Sequence, residues 1–203
     1  VGTGLNAPKG FDKEVVNQIN KLLKSKFSVS KNKFEGIASH DALVNLHGVF
    51  KLIAISLMKI SNDIRMLSSG PRTGISELIL PSNEPGSSIM PGKVNPTQCE
   101  ALIMVCARVI GNDSSVNIAG MGGQFQLNTF KPLLAYCLIE SCHLLSDSIR
   151  SFNKNCLSGI KPNKRKIDYN INNSLMLVTV LNNSLGYNKA SDIAKLAYLK
   201  NIS

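Results

Sequence analysis

The sequence has no tryptophan, and only 5% of its residues are aromatic. A folded core must therefore be built mainly from aliphatic side chains. Acidic residues are also scarce: 13 Asp and Glu stand against 23 Lys and Arg, a net charge of +10. Such an excess suits nucleic acid, an acidic membrane surface or the steering of an anionic substrate. The one dense basic run, Lys161 to Lys166, has no interleaved aromatics and no nucleic-acid fold signature beside it. It reads as a solvated helix entry, so neither nucleic acid nor membrane is expected as a partner.

Cysteine pairs are missing too. Cys99, Cys106, Cys137, Cys142 and Cys156 include no C-x-x-C, and their number is odd. This excludes a regular disulfide framework or a zinc site and fits reduced, buried thiols in an intracellular protein. No signal peptide or membrane span is legible, and the chain opens on Val1 rather than Met. Histidine is rare. His40 and His47 would stand about 10.5 Å apart along a helix, too far to share a metal. They read as polar edges of a packed helix, and His143 reads as a satisfied interior residue.

What is present is helical periodicity. A first helix is expected from about residue 11 to 25, with Asp12 as cap and Val15, Val16, Ile19, Leu22 and Leu23 on one face. Residues 26–35 look irregular. From about 36 to 69, Leu43, Leu46, Phe50, Ile53, Leu57, Ile60, Ile64 and Leu67 recur at spacings of three and four. That predicts one helix roughly 50 Å long, stopped by Gly70 and Pro71. Two more long helices are expected over about 96–119 and 128–155, the second with Leu134, Leu138, Leu145, Ile149 and Phe152 on one face. Short helices should follow at about 163–171, 174–183 and 188–200, the last capped by Asn188, with Leu175 to Val178 buried. The fold class is all-α, a long-helix bundle followed by a small helical domain.

Between the first two long helices, residues 70–95 form a long irregular stretch, which in a helical protein usually serves function. It carries Arg72, Glu77 and Glu84 and ends in Gly86-Ser-Ser-Ile-Met-Pro-Gly-Lys-Val-Asn-Pro-Thr-Gln98. Two glycines and two prolines shape the turns. Asn95 suits a helix N-cap, with Pro96 at the first helical position. Backbone N–H groups, the helix dipole and the Lys93 ammonium then favour a carboxylate or phosphate. A nucleotide phosphate loop is excluded, because five residues separate Gly86 from Gly92 and Val94 follows Lys93.

The string GSSIMPGKVNP resembles the signature of the fumarase/aspartase superfamily. Thr97-Gln98-Cys99-Glu100-Ala101-Leu102, Leu80 to Pro85, Asn32 to Glu35 and His40 to Leu43 resemble the class II fumarases in particular, over essentially the whole chain. The resemblance implies reversible hydration of fumarate to L-malate, without metal or other cofactor. It matches Ser87 to the family's catalytic serine and Glu100 to a glutamate that pairs with a catalytic histidine. Ser88, Lys93, Val94 and Asn95 match substrate contacts. It also implies a homotetramer whose site is shared between subunits, and an N-terminal part that supplies the histidine. The chain is then a C-terminal portion, with residues 1–156 in the central bundle domain (signature loop 86–96) and 157–203 in an incomplete C-terminal domain. A cytoplasmic location is expected, or the mitochondrial matrix in a eukaryote. Two other readings stay open: an inactive remnant or assembly module, and a sister lyase such as aspartase. Thr73 and Met121-Gly122-Gly123-Gln124 depart from the family pattern.

Overall fold

A computed structural model of the 203-residue chain describes every residue except Val1, Pro85, Ser87, Ser88, Pro91 and Ser203. The architecture is helical. In chain order it has α1 (Phe11–Leu23), α2 (Lys33–Ala38), α3 (Asp41–Leu67), β1 (Leu78–Ile79), α4 (Thr97–Met121), α5 (Lys131–Asn155), β2 (Lys161–Pro162), α6 (Lys164–Asn172), α7 (Asn182–Leu185) and α8 (Tyr187–Lys200). 3₁₀ segments cover Leu157–Gly159 and Leu175–Leu181. The residues form two compact units, Val1–Ile60 with Glu100–Arg150, and Ser61–Cys99 with Ser151–Ser203.

In the first unit, α4 and α5 bury the stripes that their sequences predict. Val109, Val116 and Ala119 of α4 and Leu134, Leu138 and Leu145 of α5 are buried. Leu43 and Val44 of α3 pack against Val116, Ala119, Leu134 and Cys137. Asn128 closes the turn between α4 and α5: its side-chain amide donates to the Ala119 carbonyl at 2.8 Å, and its Oδ1 accepts from the Phe130 N–H at 2.8 Å. The departure at Met121–Gln124 has a local reason, since a Cβ on Gly122 would run into the Phe130 ring.

The expected helix from 36 to 69 is two helices. Ser39 is extended, at φ −106° and ψ 154°, and separates α2 from α3. Asn32 caps α2 by accepting from the Phe34 and Glu35 N–H groups, a start that the irregular reading of 26–35 overlooked. The positions of α3 that are fully buried are His47, Ala54 and Ser61, seven apart, and not the large aliphatics. Leu46, Leu52, Ile53, Ile55 and Ile60 stay exposed. By length and composition α3 could cross a membrane, in contrast to the expectation of no membrane span. Its buried positions include the polar His47 and Ser61, which suits a bundle helix instead.

Other expectations need correction. α1 is preceded by Gly10 at φ 86°, with no side-chain cap, and Asp12 instead pairs with Lys33 at 2.6 Å. α1 buries no residue, and Leu22 and Leu23 are exposed. Ile149 is exposed. α8 follows Gly186 without a side-chain cap, so Asn188 lies inside the helix. Leu175, Met176 and Leu177 are exposed rather than buried. Apolar residues on all sides of a short segment mark a surface that needs covering, and the described residues leave these three uncovered.

Candidate functional site

The signature loop belongs to the second unit, and its neck is tied twice. The Asn95 side-chain amide donates to the Gly86 carbonyl, and outside that pair the Thr97 hydroxyl donates to the Glu84 carboxylate. Gly86 also lies so close to the Lys93 carbonyl that a Cβ there would collide with it. Gly92, at φ 79°, turns the chain back before Lys93, whose N–H donates to the Met90 carbonyl at 3.3 Å. The result is a closed loop with its ends together, the form that functional surface loops commonly take. Ile89, Met90, Lys93 and Val94 are exposed on it, and Asn95 is half-buried.

α4 begins at Thr97, so Pro96 stands just before the helix and Asn95 is not its cap. The Asn95 amide is used on Gly86 instead. Glu100 is half-buried in the first turn of α4, where a carboxylate complements the positive end of the helix dipole. Ser87 and Ser88 lie outside the described residues. Among the described residues no three His, Cys, Asp or Glu side chains come together to hold a metal.

The stretch before the loop is fixed by the segment after α5. β1 pairs antiparallel with β2, Leu78 opposite Pro162 and Ile79 opposite Lys161. Asn163 donates from its backbone to the Glu77 carbonyl at 2.8 Å and from its side chain to the Ser76 carbonyl at 2.9 Å. Asn170 donates to the Glu77 carboxylate at 2.8 Å. Nearer the loop, Asn83 donates to the Asn155 carbonyl at 2.7 Å, and Gly159 leaves no space for a Cβ beside Pro81. Glu77 and Glu84 thus act as anchors for the loop's approach. A cleft beside the neck is lined by Leu80, Pro81, Asn95, Gln98, Asn155 and Cys156.

The first unit holds a buried polar network that sequence reading missed. His47 is fully buried, not at an edge. Its Nδ1 lies 3.1 Å from Asp113 Oδ1 and its Nε2 lies 2.9 Å from Ser141 Oγ. The carboxylate can only accept, so Nδ1 carries the hydrogen. Asn112 donates to the same Ser141 Oγ at 3.0 Å, so the serine oxygen joins α3 to α4 through α5. Asp113 Oδ2 accepts from Lys51 at 2.5 Å and from Asn117 at 2.9 Å. Asn112 also donates to Glu140 at 2.7 Å, and Arg108 pairs with the same carboxylate at 3.0 Å. Burial alone would raise the Asp113 carboxyl, but the bonds from Lys51 and His47 outweigh it and hold it below its ordinary value. Glu140 is held low by Asn112 and Arg108.

The order serine, histidine, aspartate is that of a hydrolase triad, but a substrate cannot reach Ser141, because Ser141 and His47 have no exposed surface. The network pins α3, α4 and α5 in register. Its signal in the sequence is a polar residue at a stripe position on each of three helices. His143, by contrast, is exposed rather than interior. His40 has a buried Nε2 with no hydrogen-bond partner, and burial together with Lys131 lowers its pKa.

Three kinds of comparison bear on this geometry. The family model described as "Lyase" matches residues 1–111. The class II fumarate hydratase of Helicobacter pylori J99 is 56% identical over 203 residues, covering 100% of this chain and 44% of that protein. The mitochondrial fumarate hydratase of Rhizopus oryzae is 57% identical over 198 residues, 98% of this chain and 40% of that protein. The crystal structure of class II fumarase from Schistosoma mansoni superposes with a TM-score of 0.91 at 44% identity, covering 100% of this chain and 46% of that one. The chain therefore spans less than half the length of these relatives. With the family model described as lyase matched over more than half its length, and with this chain matched from end to end by part of a class II fumarate hydratase, the chain belongs to the lyase family.

Proposed function

We propose that this chain supplies the signature-loop part of a fumarate hydratase, which adds water to fumarate and removes it from L-malate. The observation that carries this reading is the doubly tied loop 86–95, with Lys93 exposed on it, in a chain matched throughout by class II fumarate hydratases.

Elimination beside a carboxylate needs a base for a carbon-bound proton, stabilisation of the dianionic aci-carboxylate and an acid for the departing hydroxyl. We assign the proton abstraction to Ser87. A serine hydroxyl is a weak base unless its alkoxide is stabilised, and loop N–H groups with the Lys93 ammonium are the stabilisers at hand. Lys93 pairs with a substrate carboxylate, and Ser88, Val94 and Asn95 contact the substrate. The Asn95 amide holds the loop neck, so its Oδ1 is the atom left for substrate. Glu100 orients a histidine that the N-terminal part contributes. No cofactor is required by this scheme.

The exposed aliphatics of α3 support a homotetramer built on that helix, completed by the N-terminal part. We assign residues 1–156 to the central bundle domain and 157–203 to the C-terminal domain. We place it in the cytoplasm of a bacterium or the mitochondrial matrix of a eukaryote; the Rhizopus oryzae relative is named as mitochondrial.

The test is fumarate-to-malate conversion by the purified 203-residue chain, alone and with the N-terminal part added. The expected result is no activity alone and activity on mixing. Activity alone, or none on mixing with a folded partner, overturns the assignment. Conversion of aspartate instead of malate would make it a sister lyase.

A further inference from the structure

We propose that Cys99 and Cys156 are an oxidisable thiol pair, which a hydroperoxide closes into a disulfide across the foot of the signature loop. Cys99 is in the first turn of α4, and Cys156 directly follows α5. Both are buried, at 0% and 2% exposure. The Cys99 thiol hydrogen-bonds to the Cys156 sulfur. Their chain neighbours are held together independently: the Ser151 hydroxyl donates to Gln98 Oε1 at 2.8 Å, and the Asn155 amide donates to Ser151 Oγ at 3.1 Å. The two sulfurs are thus kept side by side, with a polar clamp next to each cysteine.

Access is one-sided. Cys156 lines the cleft at the loop neck with Gln98, Asn155 and Asn95, while Cys99 is fully covered. The cleft reaches Cys156 only between the side chains that line it. Hydrogen peroxide, with two heavy atoms, passes such side chains more readily than glutathione disulfide, which is far larger. Cys156 is therefore the attacking sulfur, and the Cys99 hydrogen bond supports its thiolate. Burial pushes the Cys156 thiol up, which keeps the thiolate rare and the pair reduced until peroxide is sustained.

The steps balance. The Cys156 thiol gives up its proton, the thiolate attacks one peroxide oxygen, an S–O bond forms, the O–O bond breaks, and the departing hydroxide takes up that proton and leaves as water. The Cys99 sulfur then attacks Cys156, the S–S bond forms and the S–O bond breaks. The Cys99 proton leaves with the hydroxyl as water. Two thiols are oxidised, and one peroxide is reduced to two waters.

The experiment treats the purified native protein with hydrogen peroxide or with glutathione disulfide, then denatures, alkylates and maps peptides without reductant. The expected result is a Cys99–Cys156 linked peptide after peroxide, lost on adding dithiothreitol, and its absence after glutathione disulfide. Cys106 and Cys137 should alkylate fully. Exposed Cys142 reports that oxidant was sufficient. Recovery of Cys99 and Cys156 as free thiols once Cys142 is oxidised overturns the proposal. So does a Cys156 sulfinic acid with Cys99 still free, or equal linkage by glutathione disulfide. A Cys99→Ala protein should yield oxidised Cys156 with no linked peptide. If that variant fails to fold, the map of the unaltered protein still decides.

Discussion

His47 and Asp113, 66 positions apart in the chain, meet at 3.1 Å inside the first unit, and the ring they orient reaches Ser141 at 2.9 Å. Replacing His47 by Ala removes both bonds and leaves a mostly buried carboxylate and a buried hydroxyl short of partners. Loss of one member of such a network costs about 2–4 kcal/mol. Urea unfolding of the two proteins measures it. Lys51→Met should cost less, under about 1 kcal/mol, because that side chain is 40% exposed. A His47→Ala protein as stable as the parent would remove the network from the account of the fold.

The same carboxylate sets an acid limit. Its folded-state pKa lies below the ordinary 3.8, so the unfolded chain binds the proton more readily. The stability Asp113 contributes is complete above the unfolded value and is lost as pH falls through the folded one. Glu140 acts in the same direction from an ordinary 4.5. Denaturation midpoints should therefore fall steeply below about pH 4. An Asp113→Asn protein should be weaker at neutral pH and show a shallower fall. Parallel curves for the two proteins would contradict this.

The long helices were legible because their apolar residues repeat at helical spacing, and Val116, Ala119, Leu134 and Leu145 are buried as their stripes require. The orientation of α3 was not legible. Its aliphatic stripe is the more conspicuous pattern, yet the face used within this chain carries His47, Ala54 and Ser61. Periodicity reports that a face will be covered, not by which chain. The site divides similarly. Turn residues and Lys93 marked the loop, whereas the tie from Asn95 to Gly86 joins residues nine apart and depends on where Thr97 starts its helix. The anchors Asn163 and Asn170 lie far along the chain, and two asparagines in an Asn-rich sequence give no local signal.

Gly86→Ala tests whether the loop's neck matters. The added methyl meets the Lys93 carbonyl and must push the two strands of the neck apart. In the complete enzyme, turnover should drop at least about tenfold, the effect expected when a positioned group moves by about 1 Å. Thermal unfolding should change little, because the loop is largely exposed. Unchanged turnover would mean that the tied neck is dispensable.

The uncovered face of α3 predicts how the isolated chain behaves. Leu52 and Ile55 are 63% and 51% exposed on an apolar helix, and such patches drive association. The 203-residue chain should sediment as oligomers or aggregates. Leu52→Glu with Ile55→Glu should shift it to smaller species while its helical circular dichroism stays the same. A monodisperse monomer before any substitution would show that the face tolerates water.

The assigned roles of Ser87 and Lys93 predict different kinetic losses in the complete enzyme. If Ser87 takes the carbon-bound proton, Ser87→Ala removes an interaction made only on the way to the transition state. Its kcat should fall by a factor of about a hundred or more, with KM and thermal unfolding close to unchanged. If Lys93 pairs with a carboxylate present in both substrate and transition state, Lys93→Met should act chiefly by raising KM. Removing a charge-assisted hydrogen bond of about 1.5–3 kcal/mol corresponds to roughly a ten- to hundredfold rise. Steady-state kinetics with malate separates the two. Near-normal turnover by Ser87→Ala takes that serine out of the chemistry and leaves the loop with binding alone, whereas a Lys93→Met enzyme that loses kcat at constant KM moves the ammonium from holding the substrate to stabilising the charge that develops on it.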